Sequence, residues 1–107
     1  VSTGGIIGME RAQLEAALAE SFDGTPAERR AVARAARDLA DSGKPAEDRG
    51  HALSVSDARR HLADAPDGSS VVDRWNWWMG ALEAAYGGYD YFTVRFVEEN
   101  ETADRYR

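Results

Sequence analysis

The sequence predicts a mostly α-helical domain with a minor β element, an α+β arrangement of about four helices carrying one strand pair or small sheet. Three observations carry that prediction. Apolar residues recur at helical spacing in four segments. Two of those segments open on a hydroxyl residue followed three positions later by an acid, Thr25-Pro-Ala-Glu28 and Ser70-Val-Val-Asp73, the pattern of a helix N-cap. One stretch, Tyr89 to Val97 (YDYFTVRFV), alternates with period two instead and is rich in aromatic and β-branched side chains. A chain of 107 residues suits a single domain with one modest core. Residues 9–97 read as that domain, 1–8 as a disordered leader and 98–107 as a polar tail that frays.

The elements follow in order. Val1 to Gly8 (VSTGGIIG) is glycine-rich, lacks a helical period and precedes Met9, which suits an alternative start, so it stays outside the functional reading. From Met9, Leu14, Leu18 and Phe22 recur every fourth residue with Glu10, Glu15 and Glu20 off the stripe, an amphipathic helix that ends at Asp23-Gly24. A second helix starts at the Thr25 cap with Pro26 in its first turn and runs to about Asp41. Its inward stripe, Val32, Ala35, Ala36 and Leu39, is mostly small, so its backbone approaches a neighbour closely.

Ser42 to Gly50 (SGKPAEDRG) has glycine, proline and charge without a period and reads as a loop. His51 to Val55 reads as a short extended segment. Ser54 or Ser56 then caps a third helix through about Ala65, with Ala58 and Leu62 inward, closed by the turn Pro66-Asp67-Gly68. The Ser70 cap launches a fourth helix that Gly87-Gly88 ends. The strand at Tyr89 to Val97 sets Phe92, Val94 and Phe96 against Tyr91, Thr93 and Arg95. It needs a hydrogen-bonding partner, and the internal candidates are Ile6-Ile7 and Ala52 to Val55, with the same strand of a second copy as the alternative.

Composition narrows the function. Hydrophobic residues at 43% and charged residues at 30% are ordinary for a globular domain. No apolar run approaches the roughly 20 residues of a membrane span, and nothing resembles a signal peptide, so the expectation is a soluble, cytoplasmic protein. With no cysteine, disulfides, thiolate metal sites and cysteine nucleophiles are excluded together. Against 13 basic residues, of which Lys44 is the single lysine, stand 19 acidic ones, a net charge of -6. That negative field disfavours nonspecific attraction to nucleic acid or to anionic lipid. The balance also resembles the acidic surfaces of salt-adapted proteins, and in high salt the field is screened within a few ångströms.

All three tryptophans fall within Arg74-Trp-Asn-Trp-Trp78 (RWNWW). At 100° per residue, Val71, Val72, Trp75, Trp78, Met79, Leu82, Ala85 and Tyr86 share one arc, the largest apolar stripe in the chain, so Trp75 and Trp78 read as core anchors. Trp77 lies nearly opposite, beside Asp73, Gly80 and Ala84. Small residues next to an indole leave room for another surface, so this face is either covered by a second layer of the domain or docks a partner.

The other candidate groups are weaker. Arg30, Arg34 and Arg37 share an outer helix face with Asp38 and Asp41, each acid four residues after an arginine, a pattern of solvated ion pairs. His51 and His61 make no HxxxH or HExxH pair for a metal. Asp57 and Asp64 flank His61 at helical spacing and can hydrogen-bond its ring, although such groups on a helix surface are commonly solvated. No catalytic residue, metal or cofactor is therefore expected, and no enzyme.

The order from His51 to Val97, extended segment, helix, tight turn, helix and strand, is similar to the body of winged-helix proteins. That resemblance is topological and covers less than half of the chain. It implies nucleic-acid binding through the helix from Val71 to Tyr86, with Arg59, Arg60, Arg74 and Asn76 as contacts. The first expectation is instead a non-enzymatic module for protein–protein interaction or self-association, whose contact face is Trp77, Gly80, Ala84 and Asp73.

Overall fold

A computed structural model describes residues 10–97. Five α-helices follow one another, α1 (Arg11–Ser21), α2 (Pro26–Ser42), α3 (Lys44–Arg49), α4 (Val55–Ala63) and α5 (Val71–Tyr86), and a 3-10 turn (Asp90–Phe92) leads into the irregular segment 93–97. Residues 1–9 and 98–107, which include the expected leader and tail, lie outside the described residues.

The helix starts follow local chemistry. At α2, the Thr25 hydroxyl accepts from the Glu28 N–H at 3.1 Å while the Glu28 carboxylate accepts from the Thr25 N–H at 3.0 Å, a closed capping box. Ser54 caps α4 and Ser70 caps α5 through the N–H groups of Asp57 and Asp73. Gly43, with φ of 77°, stops α2 in the left-handed region that a side chain disfavours.

One core joins the four longer helices: Leu14 and Leu18 of α1, Val32, Ala33, Ala36 and Leu39 of α2, Ala58 and Leu62 of α4, and Val71, Trp75, Trp78, Met79 and Leu82 of α5. The alanines of α2 let its neighbours approach closely. Its stripe is shifted slightly from the expected one, with Ala33 buried and Ala35 only partly so. On α5 the apolar arc buries as a wheel places it up to Leu82, beyond which Ala85 and Tyr86 are exposed.

Two expectations are corrected. No strand, sheet or strand pair exists among the described residues, so the minor β element is absent and the fold is helical. Of the expected strand, Asp90–Phe92 coil into a 3-10 turn and residues 93–97 pair with no strand. A physical reason lies in α5: the side-chain amide of Asn76 supplies both a donor and an acceptor to the backbone of Val94, so the demand of that residue is met without a ladder. Ala52 to Ser54 is irregular and Val55 already belongs to α4, which removes the internal pairing candidate; Ile6-Ile7 lies outside the described residues. Among the described residues there is no strand from which a wing could be built.

The second correction is α3, where a loop was expected. Pro45 in its first turn, Glu47 in that same turn and Arg49 in its last turn suit both helix ends, but six residues are too few to show a period.

Candidate functional site

Helix α5 presents three different surfaces, and the RWNWW stretch contributes to each. Its outer face carries Trp77, 41% exposed, beside exposed Asp73, Gly80, Ala81 and Ala84. A Cβ added at Gly80 would meet nothing within 4 Å. The placement agrees with the wheel: Trp75 and Trp78 are buried at 0% and 4%, and Trp77 is the exposed member of the three. No second layer built from the described residues encloses it.

The flank towards α3 and α4 holds a charged cluster. Trp78 stacks on the His61 ring with centroids 4.7 Å apart and planes 9° from parallel, and its other neighbour, Trp75, meets it edge-on at 5.8 Å. Arg49 reaches from the end of α3 to grip Asp57 with two hydrogen bonds, Nη1 to Oδ2 at 2.8 Å and Nη2 to Oδ1 at 3.1 Å. Its guanidinium lies 5.5 Å from the Trp78 ring centroid.

The same Nη2 stands 2.9 Å from His61 Nε2. Arginine has only donors, so Nε2 accepts and the proton of the neutral ring sits on Nδ1. Burial opposes the Asp57 charge, yet the hydrogen bonds and charge of Arg49 outweigh it and hold this carboxyl below the ordinary aspartate range. Burial lowers the pKa of His61, and Arg49 and Arg60 lower it further against the opposite pull of Asp57 and Asp64. A neutral imidazole on α4, locked by a guanidinium from α3 and covered by an indole from α5, ties three helices together; its nitrogen lone pair is already used.

The third surface receives the segment after α5, here termed the strap (89–97). Trp75 Nε1–H donates to the Phe92 carbonyl at 2.8 Å, Asn76 Nδ2–H to the Val94 carbonyl at 2.9 Å, and the Val94 N–H to Asn76 Oδ1 at 2.8 Å. One carboxylate oxygen of Glu83 accepts from the N–H groups of Tyr89 at 2.7 Å and Asp90 at 2.9 Å. Those backbone donors hold the Glu83 carboxyl below its ordinary range.

Tyr89 is fully buried, with its hydroxyl donating to Asp48 Oδ2 at 2.9 Å and the Lys44 ammonium 4.9 Å from its ring centroid. Burial, then the facing Asp48 carboxylate, raises the phenol pKa, while that hydrogen bond and Lys44 keep Asp48 ionised. Tyr91 in the turn and Phe96 beyond it point outward at 86% and 85% exposure, beside a groove of about 480 Å³ between the strap and Ala31, Arg34, Ala35 and Asp38 of α2.

The residues expected to contact nucleic acid are dispersed. Arg74 turns inward, donating to the carbonyls of Ser69 at 3.0 Å and Leu62 at 3.0 Å over the Phe22 ring. Asn76 is committed to Val94. Arg60 binds Asp57 at 3.0 Å, and Arg59 sits 3.9 Å from Glu20. By contrast, Asp73, Trp77, Gly80 and Ala84 share one exposed face. Sequence reasoning missed Lys44, Asp48 and Arg49, all on the unexpected α3, and Glu83 as a backbone acceptor. The acidic first turn and basic last turn of α3 were the available signal.

Among the described residues no group of three or more histidine, aspartate and glutamate side chains could hold a metal ion, and no helix is long and apolar enough to cross a membrane. No curated protein and no solved structure matches the chain. A family match does: it begins at residue 4, inside the segment read as a leader, and ends at residue 83, inside α5, so it contains the whole RWNWW stretch and leaves the strap outside. Matched over residues 4–83, the chain belongs to the WNWW domain family.

Proposed function

We propose that the domain is a non-enzymatic interaction module that self-associates or docks a protein partner through the outer face of α5. One observation carries the reading: Trp77 is 41% exposed opposite the core, next to Gly80 and Ala84. An indole has a large apolar area and few rotatable bonds, so covering it gains much for little lost freedom. Gly80, Ala81 and Ala84 leave the face around it smooth enough for close approach. Asp73 at its edge supplies an acceptor for a partner's donor.

The discriminating experiment is sedimentation of wild type and Trp77→Glu across a concentration series, beside their unfolding curves. We expect a wild-type assembly that the variant loses, with monomer stability changed by no more than about 0.5 kcal/mol, as at an exposed site. Trp78→Ala should instead cost about 3 to 5 kcal/mol, because its ring is buried. A Trp77→Glu chain destabilised by several kcal/mol would assign Trp77 to the core and remove this reading. A wild type monomeric at every concentration would leave only a foreign partner.

A further inference from the structure

The strap is bound the way a peptide is bound. Trp75 and Asn76 donate to the carbonyls of Phe92 and Val94, and the strap's own N–H groups donate to side chains of α5, Val94 to Asn76 and both Tyr89 and Asp90 to Glu83. An amide that both donates to and accepts from one residue's backbone does what a neighbouring strand would do. These bonds address backbone, so they accept any chain that presents a carbonyl and, two residues later, an N–H and carbonyl in the same geometry. Of the strap's side chains, Tyr91 and Phe96 are exposed and add little, while Phe92 and Val94 pack, partly buried, against the core.

Tyr89 sets the occupant. Its buried ring fills a slot in which the hydroxyl meets Asp48 and the face meets Lys44. A foreign peptide would have to place a tyrosine three residues before the first carbonyl that Trp75 reads. A second copy of this chain does so by identity. The connection to α5 is also suited to redirection, since Gly87 and Gly88 both have positive φ, 81° and 87°, at the single junction between helix and strap.

We propose that Trp75 and Asn76 form a backbone-reading cradle, filled here by the chain's own strap, and that the cradle also binds the strap of a second copy by exchange about Gly87-Gly88. This surface is separate from the Trp77 face, and the two associations stand or fall independently. An exchanged strap makes the same contacts as the tethered one, so only the hinge and mass action differ. A short tether holds its end at an effective concentration in the millimolar range. The closed monomer therefore dominates at micromolar protein, and exchange follows when the internal pairing is weakened.

Two full-length variants, both also carrying Trp77→Glu to silence the outer face, test this. Val94→Pro spoils the strap by removing the N–H that Asn76 accepts, and leaves the cradle intact. Asn76→Ala spoils the cradle and leaves the strap intact. Each alone has no complete pairing to offer, but mixed one to one they have one: the cradle of the first with the strap of the second. Sedimentation should show a heterodimer in the mixture and monomers in the separate samples. A mixture that stays monomeric, with both variants retaining the parent's helical circular dichroism, overturns the proposal.

Should either variant fail to fold, amide hydrogen exchange in the wild-type chain decides. A detachable strap requires the Val94 amide to exchange at least about tenfold faster than that of Met79 in the α5 core, through an opening that leaves the core folded. Equal protection of the two would show that the strap leaves only when the whole domain unfolds, and would overturn the proposal as well.

Discussion

The two flanks of α5 are sealed by opposite chemistries. Towards α3 and α4, side chain meets side chain: His61 lies flat on Trp78, and Arg49 joins His61 to the buried carboxylate of Asp57. Towards the strap, side chain mostly meets backbone, through Trp75, Asn76 and Glu83, with the Tyr89 hydroxyl on Asp48 as the exception. The first seal depends on which residues are present. The second depends mainly on where a carbonyl and an N–H stand, and on the buried ring of Tyr89. Adjacent residues of one motif thus serve two purposes: Trp78 fixes the domain's interior, and the Trp75-Asn76 pair receives a segment that lies outside the family match.

The largest expected effect falls on the charged flank. Asp57→Ala leaves Arg49, whose side chain is only 11% exposed, without its carboxylate. Breaking a buried pair on one side costs about 3 to 5 kcal/mol, since the remaining charge is neither hydrated nor paired. Urea unfolding followed by circular dichroism measures it. A loss below about 1 kcal/mol would mean that Arg49 reaches water, and the contrast between the flanks would weaken.

A smaller effect is expected on the strap flank. Asn76→Ala strands the Val94 N–H and carbonyl, both part-buried, at a cost of about 1 to 3 kcal/mol. The loss should couple to Val94→Pro, with a double variant less destabilised than the sum of the single ones, because both remove the same interaction. Strict additivity would show that Asn76 does not hold the strap through Val94.

This contrast also explains what the sequence disclosed. The four longer helices were legible because each has an apolar period and three begin on a recognisable cap. The exposure of Trp77 followed from the wheel for the same reason. Alternation in YDYFTVRFV suggested a strand because periodicity reports what a segment prefers, not who is available to pair with it. Asn76, eighteen residues upstream of Val94, supplied the missing partner as a side chain, and no local pattern announces that. Arg49 was lost with α3, whose six residues fall below the length at which a helical period shows. The spacing of Asp57 and His61 was visible, but the cation that binds both comes from another helix.

The smallest expected effect tests whether protonation matters to the charged flank. His61 is faced by Arg49 from α3, by Asp57 and Arg60 from α4, by Asp64 just past its end, and by the Trp78 ring from α5. Its Nε2 accepts from Arg49, so adding a proton there removes an acceptor and sets two cations together. Burial first, and then the charge of Arg49, put the folded-state pKa below the ordinary value of 6.5. Between that lowered pKa and about 6.5 the unfolded chain binds the proton more readily, so stability rises with pH. The contribution of His61 is complete above about pH 6.5 and is lost as pH falls towards its folded pKa. One group titrating alone limits the slope to about 1.4 kcal/mol per pH unit. Glutamine can accept from Arg49 through its carbonyl oxygen and does not titrate, so His61→Gln should unfold with a flatter dependence between about pH 5 and 7, the ordinary range of histidine titration. Subtracting the two stability curves cancels the other groups, Asp57 included, whose depressed pKa matters only at lower pH. Parallel curves would show that His61 keeps an ordinary pKa. A wild type that gains stability on acidification relative to the variant would show instead that the charged ring pairs with Asp57 and that Arg49 gives way.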